Sequence, residues 1–562
     1  MFNTIRFIVR VLMPNFVKKI VAPWKQQKPS VLSVAQREFI SLNNRNWKHS
    51  NRNISGDNGF VLVEGFLAYG PNYLLRTGII AKAIEKELHL TPLVLFDGYI
   101  ESEDGKISLY KSFDIEYFES TRNYQPSFYK KIHNAILSLK LYRKADKPED
   151  LLSLEYMGIV FGDLLYDTML KNTPGMYTLA RISTKTLLYI YEALQLITMY
   201  RGIIDKNVIK FYISTHPQYL TYGLLIRVCL SKNIPVFETT DIQLWLHQNK
   251  SNRESISYPK FHDYLHQQIK PLMNKNSDSI STIEIDIILN NRFSGNFDQT
   301  DVRMAYKNKK IYSSSELRDA LNIDNNYPFV FIFAHIFSDS PQSASNGMLY
   351  RDYYTWIEDT IRTACTISGI NWIVKPHPSN AVYNETGLID EIVDKYKSAC
   401  LFMCPKDLSP ASVIYVASAI VTAQGTVGIE YSCMGIPVVL AGKPFYSGFG
   451  FTIEPKSIKE YKTVLRDIKN LQKLSEKQKT IAKKVYAAFM EMQQTDTSLI
   501  DTDVLLKAWG GEGEPAAPDR AFELINQKLP GFDLKQYSLY KVAAELVKRI
   551  AVDKGEKRNQ NV

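Results

Sequence analysis

Lysine and histidine two residues apart, each followed by proline, make the first chemically pointed pattern in this chain: Lys375-Pro376-His377-Pro378, directly after the apolar run Trp372-Ile373-Val374. A buried strand would deliver Lys375 and His377 at its carboxyl end, in a loop stiffened by the two prolines. Lysine supplies a fixed positive charge and histidine a group that titrates near neutrality, so the pair suits a phosphate that is bound and then leaves. Farther along, the apolar run ending at Thr422 meets Gln424-Gly425-Thr426, a tight turn, then a short helical stretch to Gly435 before Pro437 opens another strand. Backbone N–H groups and a helix dipole at such a turn suit a monophosphate or diphosphate, and Thr426 adds a hydroxyl. Glu430 lies four residues on, shares a helix face with Thr426, and can accept hydrogen bonds from a ribose diol. The plain alternative is a generic βαβ turn carrying a surface glutamate.

A third group follows Phe329–Phe333: His335, Ser338 and Asp339, then Asn346-Gly347 and Tyr350-Arg351-Asp352. This Ser/Asn/Gly-bearing loop is expected to be flexible and to close over a ligand, with Asp339 as a catalytic carboxylate and Ser338 as a ligand contact. In the first half of the chain Glu64, Asp97, Asp163 and His216 each follow an apolar run. One of them is expected to act as base on an acceptor hydroxyl, and Asp163 is the chosen carboxylate; helix capping is the alternative for each. His262 and His266 have metal-ligand spacing without a third ligand and read as a surface helix. Asp501-Thr502-Asp503 reads as a helix cap, and no metal site is expected.

These residues need strands and helices to hold them. Phe60–Val63, Pro92–Phe96, Met157–Phe161, Val208–Ile213 and Ile234–Phe237 read as strands, with helices over Tyr73–Leu88, Leu179–Tyr200 and Tyr219–Leu230. A second series opens at Phe329–Phe333, a continuous apolar run expected of a central parallel strand, and continues through a helix at Tyr353–Ser368 and a strand at Trp372–Lys375 to about Gly442. The expected divisions are a basic leader and linker (1–58), a first α/β domain (59–255), a connector (256–327), a second α/β domain (328–480) and C-terminal helices (481–562) hinged at Gly510–Pro518. The fold class is α/β, two Rossmann-like domains facing across a cleft with helical N- and C-terminal extensions.

Composition narrows the partners. The 562 residues carry a net charge of +10, and residues 1–60 hold most of it, with Arg6, Arg10, Lys18, Lys19 and six further bases against Glu38 and Asp57. A basic leader on a nearly neutral body points to an anionic surface and not to nucleic acid. Residues 1–22 have apolar residues at helical spacing beside those bases, so they are expected either to lie on anionic lipid or to pack on the protein itself. Five scattered cysteines without a CxxC pair fit a reducing cytoplasm, and no apolar stretch is long enough to span a bilayer. The expected location is cytoplasmic, peripheral on the inner membrane face.

Lys375, His377 and Pro378, followed by Gln424-Gly425-Thr426, Glu430 and Gly435-Ile436-Pro437, resemble the GT-B glycosyltransferases of capsule and lipopolysaccharide synthesis. Within them the likeness is to the capsule polysaccharide biosynthesis proteins that include Kdo transferases; Phe329 through Asp352 to Trp356 also resembles proteins of surface carbohydrate synthesis. The resemblance covers about 320–455, and the first half only through strand order and Gly162-Asp163. It implies a metal-independent transferase that uses no cofactor. The donor would be a nucleotide sugar, CMP-linked before UDP- or GDP-linked, and the acceptor an oligosaccharide or glycolipid held by the first domain. It further implies that His377 contacts the donor phosphate, with Lys375 and Pro378 beside it, and that Gln424, Gly425, Thr426 and Glu430 hold the nucleotide. Related patterns occur in UDP-sugar 2-epimerases and CDP-polyol phosphotransferases, which stay as alternatives, as does a non-catalytic membrane-associated scaffold.

Overall fold

Uninterrupted apolar runs become the centres of two sheets. All five residues of Phe329–Phe333 and all six of Thr91–Phe96 are buried, as strands covered on both faces must be. The computed structural model describes residues 31–47, 58–240, 243–248, 260–274, 282–296, 299–306, 308–344, 347–396, 398–492, 496–511 and 514–559. The leader segment 1–22 and Asn346 lie outside the described residues.

The first sheet contains β1 (Phe60–Glu64), β2 (Thr91–Phe96), β3 (Tyr117–Ser120), β6 (Ile209–Ser214), β7 (Val236–Thr239) and β8 (Leu244–His247), while β4 (Glu155–Tyr156) and β5 (Ile159–Val160) form a separate ribbon. Its order is β3-β2-β1-β6-β7-β8, parallel except for the antiparallel β7–β8 edge. The second sheet contains β9 (Phe329–Phe333), β10 (Asn371–Lys375), β11 (Leu401–Met403), β12 (Ala417–Thr422) and β13 (Val438–Leu440), in the order β11-β10-β9-β12-β13, all parallel. Both sheets therefore reverse direction of winding beside their first strand, at β1/β6 and at β9/β12. In open parallel sheets the crevice at such a reversal, beyond the carboxyl ends, is where ligands bind. Two Rossmann-like domains are present, as expected.

The expected strand at Met157–Phe161 is corrected. Met157 and Gly158 both have positive φ, 55° and 77°, and form the two-residue turn that pairs β4 with β5. The expected helix at Leu179–Tyr200 is shifted to Thr184–Lys206, because Ser183 and Thr186 cap it reciprocally. The helix expected over Tyr219–Leu230 begins with a π-turn, Tyr219–Gly223, before Leu224–Ser231.

The extensions complete the cores. Leu499, Phe522, Leu539 and Val547 share one buried cluster with Val61, Ile80 and Phe39, so the last helices and Val34–Trp47 cover one face of the first sheet. The hinge expected at Gly510–Pro518 lies between helices Thr502–Trp509 and Pro518–Lys528, which both pack in that cluster. Connector helices Phe261–Asn274 and Thr282–Phe293 bury Leu265, Ile269, Ile285 and Leu289 against the second sheet, as does Val485 of Glu476–Glu491.

The domains meet through the loop after β9. Asp167, on helix Gly162–Lys171, accepts hydrogen bonds from Gln342 N (3.1 Å), Ser343 N (2.7 Å) and Ser343 Oγ (2.6 Å). Tyr166 donates to Asp352 Oδ2 (2.7 Å), and Arg351 donates to Leu179 O (3.0 Å) and pairs with Glu149. The loop expected to close over a ligand docks on the opposite domain, which holds two of its backbone donors, Gln342 N and Ser343 N.

Candidate functional site

At the β9/β12 crevice the two strands hand their next residues to one another. Gln424 N donates to His335 Nε2 (3.1 Å), and Thr422 Oγ1 lies 3.3 Å from the same nitrogen. Tyr353 stacks on the imidazole with ring centres 4.3 Å apart and planes 7° apart, and Trp356 meets it edge-on. Burial, with His377 and His262 nearby, lowers the His335 pKa to about 3. The ring is neutral at physiological pH, and because Nε2 accepts, Nδ1 carries the proton.

A cavity of about 370 Å³ opens from this crevice. Lys375, His377 and Pro378 line it from the end of β10, and Gln424, Gly425, Thr426 and Glu430 from the turn and helix after β12. The two distant segments thus converge on one space. Among the described residues no side chain hydrogen-bonds or ion-pairs with the Lys375 ammonium in the wall. Ser379 N donates to His377 Nδ1 (3.2 Å), so the neutral ring carries its proton on Nε2. Gln424 is almost fully buried, and its Nε2 has no hydrogen-bond partner among the described residues.

The helix after the turn, Val427–Cys433, has only seven residues, and Thr426 makes no side-chain cap. Positive charge in this part of the wall therefore comes from side chains such as Lys375 more than from a helix dipole. Gly428 is required by close approach: a Cβ there would lie 2.1 Å from Tyr446 Oη, the hydroxyl that donates to Gly425 O. Glu430 is not a surface glutamate. It is 5% exposed and pairs with Arg292 of the connector at 3.0 Å, both lining the cavity. Val302 and Tyr306 of helix Thr300–Tyr306 also line the cavity.

Asp339 lines the cavity, where desolvation raises its carboxyl above the ordinary aspartate range, opposed by the positive charge of Lys171 from the first domain. Ser338 is corrected. Its hydroxyl donates to Glu385 Oε1 (2.7 Å), which also receives Ser338 N, so it fastens the loop and does not line the cavity.

The first-domain candidates do not gather there. Asp163 lies in a buried two-pronged ion pair with Arg227 (2.7 and 2.8 Å) and does not line the cavity. Burial alone would raise its carboxyl, but Arg227 holds it below the ordinary range. Glu64 plugs the β1/β6 crevice, receiving Tyr212 Oη (3.2 Å), Ser214 Oγ (2.8 Å), Thr215 N (3.3 Å) and the Thr215 hydroxyl. Desolvation raises it to about 7 even so. His216 stacks on Tyr219, its pKa lowered by burial to about 4. Asp97 lines a different cavity.

Sequence reading passed over Arg292, Tyr353, Lys171 and His262 as site residues. His262 is no surface residue: it lines the cavity, accepts from Phe445 N (3.3 Å), and is lowered by burial to about 4. His266 Nδ1 contacts Phe445 O (3.0 Å), so their spacing serves one backbone segment. Asp501 caps helix Thr502–Trp509, accepting from Val504 N (3.0 Å), as expected. Among the described residues no cluster of three metal-ligating side chains occurs, and no helix is long and apolar enough to cross a membrane.

No protein-family model matches the chain, and no curated protein does. Solved structures similar to it include the beta Kdo 2,4 transferase KpsC of Thermosulfurimonas dismutans, at 12% identity and TM-score 0.32, covering 49% of this chain and 79% of that one. A beta Kdo 2,7 transferase KpsC structure from the same organism is similar at 15% identity and TM-score 0.31, covering 59% and 89%. The UDP-GlcNAc 2-epimerase of Neisseria meningitidis, bound to UDP-GlcNAc, is similar at 11% identity and TM-score 0.23, covering 77% and 98%.

Proposed function

We propose that this chain is a glycosyltransferase of the two-domain GT-B type, moving a sugar from a nucleotide donor to a saccharide or glycolipid acceptor in capsule or lipopolysaccharide synthesis. One observation carries the reading: the Lys375–Pro378 loop and the Gln424–Glu430 turn line one cavity at the β9/β12 crevice. Its wall carries the Lys375 ammonium and the His377 ring, the Arg292–Glu430 ion pair and the apolar side chains of Val302 and Ala305. A nucleotide offers partners for each of these groups, phosphate for the cation, ribose for the carboxylate and base for the apolar wall.

In this reading Lys375 and the Nε2 proton of His377 meet the donor phosphate, and Gln424 Nε2 gains the partner it lacks. Asp339 takes the proton of the acceptor hydroxyl. The acceptor oxygen bonds to the anomeric carbon as the bond from that carbon to the phosphate oxygen breaks. The electron pair leaves on the phosphate, where Lys375 and His377 stabilise it. His335 stays neutral and positions Gln424. A CMP-linked sugar, Kdo among them, is the first donor to try. The basic residues 1–60 and the free cysteines support work in the cytoplasm at an anionic surface.

Calorimetry with CMP, UDP and GDP, followed by transfer assays with the matching sugar nucleotides, tests the reading. Binding of one nucleotide, weakened in Lys375→Met, is the expected result. Absence of binding by all three, or wild-type transfer by a folded His377→Ala variant, overturns it.

A further inference from the structure

Helix Phe128–Lys144 of the first domain contains Lys130, Lys131, Lys140, Arg143 and Lys144 and no acid. Along the chain the nearest acids are Glu119 before it and Asp146 after it. Its inner face packs on helix Thr184–Lys206: Ala135 shares a buried patch with Leu187, Leu188 and Tyr191, and Asn134 donates to Leu194 O (3.3 Å) and Thr198 Oγ1 (3.1 Å). That contact fixes the helix and turns its other face to solvent.

The outer face carries Tyr129, His133, Ile136, Lys140 and Arg143, at steps of three and four that keep them on one line. Tyr129 is 84% exposed and Ile136 52%, and Phe128, edge-on to Tyr129 with ring centres 6.4 Å apart, is 46% exposed. Lys130 and Lys144 flank the line, both exposed. Among the described residues no carboxylate pairs with Lys130, Lys140, Arg143 or Lys144. At 1.5 Å per residue these cations extend over about 21 Å of the helix axis. One exposed aromatic on a protein surface needs no explanation, but apolar side chains set among unpaired cations on an acid-free helix do.

Charge complementarity selects the occupant. Four unpaired cations along a convex face call for negative charge spread over a flat one, and the headgroups of an anionic bilayer supply it along the whole helix. Phe128 and Tyr129 at the helix start and Ile136 at its middle suit the boundary between headgroups and acyl chains, while lysine and arginine stems bend back to the phosphates. An acidic peptide would satisfy the cations and offer the apolar side chains nothing comparable.

We infer that helix Phe128–Lys144 docks the first domain flat on an anionic lipid surface. The contact is separate from residues 1–22 and does not depend on the glycosyltransferase reading. The full chain is sedimented with vesicles of phosphatidylcholine, with and without phosphatidylglycerol, and wild type is expected to pellet only with the anionic ones. Lys130→Gln/Lys140→Gln/Arg143→Gln/Lys144→Gln is expected to weaken that partition about tenfold or more. A control, Lys459→Gln/Lys469→Gln/Lys473→Gln/Lys477→Gln, removes the same charge from exposed positions of the second domain and is expected to leave it unchanged. In Tyr129→Trp the added indole, read as the difference from wild type, is expected to be quenched by brominated acyl chains. No pelleting of wild type, equal weakening in both quadruple variants, or an unquenched indole overturns the docking face. Binding of polyglutamate by wild type without binding of any vesicle gives the face to an acidic protein and overturns the lipid assignment. Vesicle binding with the expected variant pattern, in a chain that transfers no sugar, overturns the glycosyltransferase reading alone.

Discussion

Arg292 and Glu430 meet inside the cavity wall at 3.0 Å, with 9% and 7% of their side chains exposed. The pair ties connector helix Thr282–Phe293 to the helix after β12, and Gln299 holds the guanidinium from the other side at 2.7 Å. Removing one partner of a buried pair strands the other charge and costs about 3–5 kcal/mol, whereas replacing both by apolar side chains is often neutral. Arg292→Ala and Glu430→Ala are therefore expected to lose about 3 kcal/mol each in urea unfolding. The double variant Arg292→Met/Glu430→Leu recovers most of that stability but not nucleotide affinity. Recovery of both would reduce the pair to a structural tie.

Lys375 is expected to act on phosphate alone. Lys375→Met weakens nucleoside monophosphate binding about tenfold, the size of one charge-assisted contact, and flattens its salt dependence. Binding of the matching nucleoside, which lacks phosphate, stays unchanged. Equal loss for both ligands would place Lys375 at the base or ribose end.

How far the sequence could be read depended on the range of the interactions involved. Phe329–Phe333 was legible to the residue, because an apolar run shielded on both faces needs no distant partner to define it. Lys375, His377 and Gln424 were legible because a strand end followed by proline or glycine is a local signal. Ser338 and Asp163 were misplaced for the opposite reason. Their orientation is set by Glu385 and Arg227, residues remote in sequence that nothing local announces. Arg292 was invisible among the connector's charges until its helix lay against Glu430. Met157-Gly158 passed for strand because its neighbours are apolar, while the turn depends on backbone angles that a methionine seldom adopts.

Asp167 makes the interdomain contact sensitive to pH. Burial raises its carboxyl to about 7 in the folded protein, against an ordinary value of 3.8, despite the hydrogen bonds from Ser343. The folded state thus holds a proton that the unfolded chain has released. Stability from this group is full below pH 3.8 and falls as pH rises through about 7. His216, His262 and His335, lowered by burial, act with opposite sign, so the comparison must be with a variant. The stability of wild type minus that of Asp167→Asn is expected to fall by about 1.4 kcal/mol per pH unit between pH 5 and 7. A flat difference in urea unfolding over that range would remove Asp167 from the pH response.

Asp339 and Asp163, both expected from the sequence as catalytic carboxylates, sit in opposite electrostatic surroundings. Asp163 is bound by Arg227 through both oxygens, and its lowered pKa makes it a weak base. Asp339 lines the cavity, and its raised pKa brings its basicity closer to that required for taking an acceptor proton at neutral pH. Asp339→Asn is expected to lower kcat by about 10²–10⁴-fold while nucleotide affinity holds, because the amide keeps the shape and loses the base. The acid limb of the wild-type kcat/KM profile is expected above the ordinary aspartate range and is absent in the variant. Asp163→Asn leaves Arg227 without its counter-charge, costs about 3 kcal/mol of stability, and retains kcat at temperatures where it is folded. If folded Asp163→Asn loses turnover and Asp339→Asn does not, the proton is taken from the side of the first domain, and the Asp163–Arg227 pair must open when acceptor binds.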